Sequence, residues 1–226
     1  MKNHYLKIVV AVLLCWMATE VQAQWSLGVK GGIARTEIVR SNLGRIDESY
    51  SPISELEYGV QGRYEFNDLL SIRTGISFMR RSHRMDRRLN YLDPVFTEYR
   101  NSYLMVPVMV DLSFGGERWR GHLLGGGFAG YWLNAKVSGR TYWMTDYFVY
   151  FNDFNETRSF NDEDRRFSAG FAGGVGLTYD VTDFVGINID ALYYYDLISH
   201  HKGYANYTDY RYLNTLSVCF GVYFKL

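Results

Sequence analysis

The sequence predicts an all-β fold, an eight-stranded antiparallel up-and-down barrel. Three observations predict it. Apolar and polar residues alternate with period two in eight segments. The connections between segments alternate between tight turns and long loops. The charged residues Lys30, Glu57, Arg63, Glu65, Arg73, Asp111 and Asp190 fall on the smaller, glycine-rich face. Composition agrees: 20 Tyr, 14 Phe and 22 Gly stand beside only 3 Pro, at a mean hydropathy of −0.20. Balanced charge, 24 Lys+Arg against 24 Asp+Glu, argues against a nucleic-acid binder. No apolar run reaches the roughly 20 residues that a membrane-crossing helix needs.

The elements follow in chain order. Lys2 and Lys7 precede the apolar run Ile8 to Ala18, and Val21-Gln22-Ala23 offers small residues for cleavage. Residues 1–23 therefore read as a secretory signal peptide and 24–226 as one barrel domain. Cleavage removes Cys15 and leaves Cys219 alone, which excludes an intrachain disulfide. Strands are expected at about Trp25–Ile33, Glu55–Phe66, Leu69–Arg80, Tyr99–Phe114, Trp119–Val137, Phe167–Asp180, Val185–Leu197 and Thr215–Leu226. The last shows the alternation best: Leu216, Val218, Phe220, Val222 and Phe224 oppose Thr215, Ser217, Cys219, Gly221 and Tyr223. Tight turns are expected at residues 66–69, 115–118 and 180–183, and long loops at 34–54, 81–98, 138–166 and 198–214.

Short turns on one rim, long loops on the other and an even strand count describe a transmembrane barrel. Closure satisfies every backbone amide laterally and leaves no exposed edge. Charged side chains at mid-depth must then point inward, where the seven named above are expected to form an ion-pair network. An eight-stranded interior is narrow enough for side chains to fill, so the lumen is expected to be a polar plug. A soluble lipocalin-type barrel has the same alternation with the faces reversed. Small and charged residues on one face, with aromatics such as Trp25, Phe66, Phe114, Trp119 and Phe184 near strand ends, favour the membrane version.

Three segments resemble the small outer-membrane β-barrel proteins of Bacteroidetes, called PorT-like or porin-family proteins. They are Tyr103-Leu104-Met105-Val106-Pro107 with its continuation to Asp111, Gly121 to Val137, and Phe167 to Tyr179 with Gly173-Gly174-Val175-Gly176. Met105 stands where the family usually has an acid and Asp111 where it has a lysine, so an internal ion pair is expected to be rewired. The resemblance implies residence in the bacterial outer membrane. It also implies, by way of PorT, an accessory role in type IX protein secretion.

Candidate site residues are few. Arg80, Arg81, Arg84, Arg87 and Arg88, with His83, cluster in the second long loop, where guanidinium groups suit lipopolysaccharide phosphates. Trp143, Tyr147, Phe148 and Tyr150 crowd the third loop, which still alternates in part and suggests a protruding hairpin with a partner surface. His200-His201 point apart on an extended chain, and the acids of the third loop lack a calcium-loop spacing. His122 is an inward candidate base, but no serine lies two residues from it and no triad spacing emerges. The expectation is a non-enzymatic barrel without cofactor or metal. Its partners would be outer-membrane lipids, lipopolysaccharide and an extracellular or secretion-machinery protein, and not nucleic acid. A lipid-modifying barrel enzyme centred on His122 is the alternative.

Overall fold

The computed structural model describes residues 24–40, 48–87, 95–145, 148–162, 164–200 and 210–226. The expected signal peptide, residues 1–23, lies outside them. The strands are β1 (Gln24–Arg40), β2 (Glu48–Glu65), β3 (Leu70–Arg87), β4 (Val95–Gly115), β5 (Trp119–Met144), β6 (Val149–Arg158), β7 (Phe167–Asp180), β8 (Val185–Asp196) and β9 (Arg211–Lys225). β1 to β5 pair antiparallel in succession, β5 then pairs with β7, β7 with β8, β8 with β9, and β9 with β1. Eight strands therefore close a ring. The ninth, β6, lies outside it and, among the described residues, pairs only with the upper part of β5, from Ala135↔Arg158 to Met144↔Val149.

Six of the ring strands run past their expected ends toward the rim of the long connections. β3, for example, continues from Arg80 to Arg87, and β1 stays paired with β9 up to Arg40↔Arg211. The expected loops at 34–54, 81–98 and 138–166 are thus largely strand. Beyond the apolar band both faces become polar, so the hydrophobic alternation fades while the backbone ladder continues.

The tight turns have local causes. Asn67 Oδ1 accepts from the amides of Leu69 and Leu70 at 3.0 and 2.7 Å, an Asx turn. Thr182 Oγ1 accepts from Val185 N at 3.0 Å. Gly115 has φ +141°, a conformation that only glycine adopts without strain.

Large apolar side chains such as Leu27, Val29, Val108, Val110, Val218 and Phe220 are exposed on the outside, while Glu57, Arg63, Arg73, Asp111 and Asp190 are buried inside. This apolar-out arrangement is the reverse of a lipocalin-type barrel. The interior is layered. Ion pairs occupy the short-turn end, and Met79, Met105, Met109, Leu124, Phe128 and Leu192 fill the middle. Met105 lies within this apolar layer. Inward glycines let neighbouring strands approach: a Cβ on Gly126 would strike the Val108 carbonyl oxygen.

One irregularity changes which way residues face. The β4–β5 register jumps from Tyr103↔Trp132 to Ser102↔Asn134, leaving Leu133 as an extra residue. Below the jump, His122, Leu124 and Trp132 point inward; above it, Ala135 does, and Lys136 is turned out.

Candidate functional site

The structure brings the seven lumen charges together in two groups. Lys30 Nζ donates to Glu57 Oε1 at 2.6 Å, and Ser217 Oγ donates to Glu57 Oε2. Nearer the short-turn rim, Arg63 and Arg73 stand directly opposite each other on β2 and β3. Like charges in that position repel. Asp111 from β4 relieves this: its Oδ2 accepts from Nη2 of both arginines at 2.7 Å. Arg73 Nη1 also donates to Asp190 at 2.7 Å, and Arg63 lies 3.3 Å from Glu65. The acid at position 111 is thus the residue that two adjacent arginines require. Sequence reasoning missed the continuation of this network. Arg120 meets Glu65 at 3.5 Å and Asp180 at 3.2 Å, and Lys225 and Tyr223 both donate to Asp180. These residues sit at strand ends, where alternation is shortest, although Lys225 and Tyr223 share the inward parity of their strand.

His122 lies within this network. The β4–β5 hairpin, which turns at residues 116–118, places Ser113 opposite it on β4. Ser113 Oγ is 3.1 Å, Asp111 Oδ1 2.9 Å and Arg63 Nη2 2.8 Å from His122, and all three approach Nδ1. A nucleophile–base–acid relay needs hydroxyl and carboxylate on opposite ring nitrogens, so these three side chains do not form one. Among the described residues no cluster of His, Cys, Asp and Glu could hold a metal ion; His201 lies outside them.

The arginine cluster divides. Arg81, expected on an outer loop, is fully buried and turned into the lumen, where it pairs with Asp196 at 2.8 Å. The reason is strand parity: β3 continues through this region and sends alternate residues to opposite faces. Arg87 shares the inward parity, whereas Arg80 and Arg84 face outward, and Arg88 lies outside the described residues. The outward pair gains a partner that the sequence reading did not single out, Arg100 on β4. Arg80 and Arg100 approach Glu55 at 3.8 and 3.6 Å. Arg84 contacts Asp86 at 2.8 Å and stacks over Phe96 at 4.0 Å. The result is a partly neutralised belt immediately above the outer apolar band.

The third long connection is a hairpin of β5 and β6 that rises beyond the ring. Its tip turns through Thr145 N donating to Phe148 O at 2.9 Å. Trp143, Phe148 and Tyr150 are 63%, 64% and 51% exposed there. Their rings touch: Trp143 and Tyr150 are 5.5 Å apart, and Phe148 and Tyr150 6.2 Å. Tyr147 lies outside the described residues. Phe160, from the same connection, instead packs edge-on against Trp132 at 4.9 Å.

Between the hairpin and the Arg81–Asp196 pair, the lumen widens into a cavity of about 300 Å³ at the long-connection end. Trp132, His200 and Leu213 line its lower part, and Tyr103, whose hydroxyl lies 2.9 Å from His200, packs beneath. Below it the core is filled by side chains down to the ionic layer.

The family model described as "Outer membrane protein beta-barrel domain" matches residues 21–202. No curated protein matches the sequence. Among solved structures, OprG from Pseudomonas aeruginosa is similar, at 13% identity and a TM-score of 0.52, over 89% of this chain and 95% of that one. Neisserial surface protein A follows at 14% identity and 0.48, over 90% and 99%. Ail of Yersinia pestis gives 14% and 0.42, over 89% and 98%. At these identities the likeness is one of fold.

Proposed function

The chain belongs to the outer membrane protein β-barrel domain family and resides in the bacterial outer membrane, and from that premise we propose that it is a non-enzymatic surface protein. In this reading the plugged barrel is an anchor, and the β5–β6 hairpin presents Trp143, Phe148 and Tyr150 to a protein partner outside the cell. The exposed, mutually touching aromatic tip carries the proposal. Large apolar side chains held in water at the end of a rigid hairpin are what an interface core needs. A photo-cross-linking residue at position 148, on living cells, is expected to give a discrete protein adduct. The adduct should vanish with Trp143→Ser and Tyr150→Ser and be absent from the lipid-facing position 108. No adduct from position 148, or one indifferent to those substitutions, would overturn the reading.

The outward belt supports a second contact, with lipopolysaccharide phosphates, through Arg80, Arg84 and Arg100 in place of the full cluster of the sequence reading. Their guanidinium groups stand where the apolar band ends, at headgroup level. Native mass spectrometry with bisphosphorylated lipid A and its dephosphorylated form tests this. Retention of the phosphorylated form should fall when all three are changed to Gln. The finer reading, a PorT-like barrel of Bacteroidetes serving type IX-like secretion, rests on the three resembling segments. It predicts loss of surface export when the gene is deleted. The lipid-modifying alternative is disfavoured by the crowding of Ser113 and Asp111 on one nitrogen of His122. An unchanged lipid A profile in cells carrying His122→Ala is the matching expectation.

A further inference from the structure

We propose that the free edge of β6 is a docking edge for an extended strand of an extracellular protein, a strand that is basic toward its N-terminus and apolar toward its C-terminus. This deepens the surface-partner reading of the hairpin, on which it rests, by naming what holds the partner: backbone hydrogen bonds. Each of the eight ring strands has a neighbour on both sides, whereas among the described residues β6 has one, β5. The hairpin turn closes with Thr145 N donating to Phe148 O, so these two form a hydrogen-bonded pair. Bonded and non-bonded pairs alternate from there along the unbroken β5–β6 register. Tyr150, Asn152, Phe154, Glu156 and Arg158 therefore bond to β5 through their backbone groups. The N–H and C=O groups of Val149, Phe151, Asp153, Asn155 and Thr157 point the other way, and no backbone group among the described residues meets them. All of β6 except Val149, Phe154 and Arg158 is exposed. Natural edges are blunted by proline, lysine, a bulge or a covering segment. β6 contains no proline or lysine, and its register with β5 has no bulge. Such an edge is a template for one more strand.

The side chains along the edge specify the strand that fits. β6 has 10 residues, a run of about 30 Å at roughly 3.3 Å per residue. Antiparallel pairing is the more stable per residue. β6 descends from the hairpin tip, so the incoming strand climbs toward it. Toward the base, Glu156 is exposed and no ion pair among the described residues answers it. Its neighbours are answered: Asp153 has Arg140 at 2.8 Å, and Arg158 has Asp164 at 2.7 Å. A Lys or Arg early in the incoming strand sits beside Glu156. Toward the tip, Tyr150 and Phe151 project to opposite faces and are 51% and 40% exposed. Apolar residues late in the incoming strand cover them, one on each face. A second copy of the chain fits less well. Copies in one membrane raise their hairpins in the same direction, so two β6 edges would run parallel, with Glu156 nearly level with its counterpart, and like charges so placed repel.

Fluorescence anisotropy on the folded barrel in detergent micelles tests the edge with a labelled synthetic peptide. The peptide has about ten residues, mainly serine and threonine, with an early lysine and a late valine and tyrosine. Saturable binding is expected. Backbone N-methylation at alternate peptide residues should weaken it at least tenfold in one parity and little in the other. Asn155→Pro removes an N–H that β5 does not use; it should cost at least tenfold while retaining heat-modifiable migration, and Asn155→Ala should bind as the parent does. Should Asn155→Pro fail to fold, the parity comparison on the parent decides. Glu156→Lys should shift the preference from the lysine peptide to its glutamate counterpart. No saturable binding, the same effect in both parities, full affinity in folded Asn155→Pro, or an unchanged preference in Glu156→Lys overturns the proposal. Concentration-dependent dimers of the parent that Asn155→Pro dissolves would assign the edge to a second copy and overturn it too. Should the cellular adduct from position 148 form while the peptide does not bind, the edge falls and the surface-partner reading stands.

Discussion

Arg81 and Asp196 form a bidentate pair across the lumen with neither side chain exposed. Nη1 donates to Oδ2 at 3.1 Å and Nη2 to Oδ1 at 2.8 Å. Their strands, β3 and β8, are not neighbours; β2, β1 and β9 lie between them in the ring. The pair therefore ties opposite walls together. The remaining donor capacity of Arg81 is met by Thr215 Oγ1 at 3.0 Å and by the Leu213 carbonyl.

Removing one partner strands a buried charge. Asp196→Ala is expected to destabilise the barrel by about 3–5 kcal/mol, whereas the apolar pair Arg81→Met with Asp196→Leu should recover most of that loss. Urea unfolding in lipid vesicles measures both. Equal stability of Asp196→Ala and the parent would show that the pair does not hold the walls.

The same logic applies to Asp111, which serves two arginines at once. Asp111→Asn leaves Arg63 and Arg73 opposite each other without their shared counter-ion. A loss of about 3–5 kcal/mol is expected in the same unfolding assay. Arg63→Met in the Asp111→Asn background should restore part of it by removing the repulsion, because Glu65, the other acid beside Arg63, keeps Arg120.

A filled lumen should not conduct. Planar-bilayer recordings of the parent are expected to show no large, stable conductance, and Arg81→Ala with Asp196→Ala should raise the leak. Large stable channels in the parent would contradict the packing of the middle layer.

His200, just beyond β8, links pH to stability. Burial first, then the nearby charges of Arg81 and His83, holds its pKa well below the ordinary 6.5. Tyr103, Trp132 and Asp196, the last at 4.0 Å, complete its surroundings. The imidazole stays neutral in the folded chain and takes up a proton on unfolding below about 6.5. Its contribution is therefore intact above that pH and lost as the pH falls, by about 1.4 kcal/mol per pH unit until the folded pKa is reached. The drop in urea midpoint between pH 7.5 and 5.5 should be smaller in His200→Gln than in the parent; equal drops would refute the assignment.

The hairpin should be separable from the ring, since among the described residues β6 pairs with β5 alone. Replacing residues 141–152 with Asn-Gly, a two-residue hairpin turn, is expected to preserve heat-modifiable migration. The unfolding midpoint should correspond to a change of less than about 1 kcal/mol, as for surface changes away from the core. Loss of the folded form would mean that the hairpin supports the barrel.

Much of this was legible in the sequence. The alternation of Leu216, Val218 and Phe220 with Ser217, Cys219 and Gly221 assigned residues to two faces, and the tight turns at Asn67, Gly115 and Thr182 set the order of the strands. The seven lumen charges were recognisable because a charge on an otherwise small-residue face has only one low-energy direction to point. These are local properties, set by a two-residue repeat and by turn chemistry. Arg81 was misplaced because the apolar signal stops at the edge of the lipid while the β-ladder does not. Lys136 faces outward, against the parity of His122 and Leu124, because of an extra residue at Leu133 that leaves no mark in composition. The pairing of Arg81 with Asp196 and of Arg73 with Asp190 was decided by the tertiary structure alone. Ring closure and strand stagger determine which residues share a height across the lumen, and no repeat along a single strand encodes them.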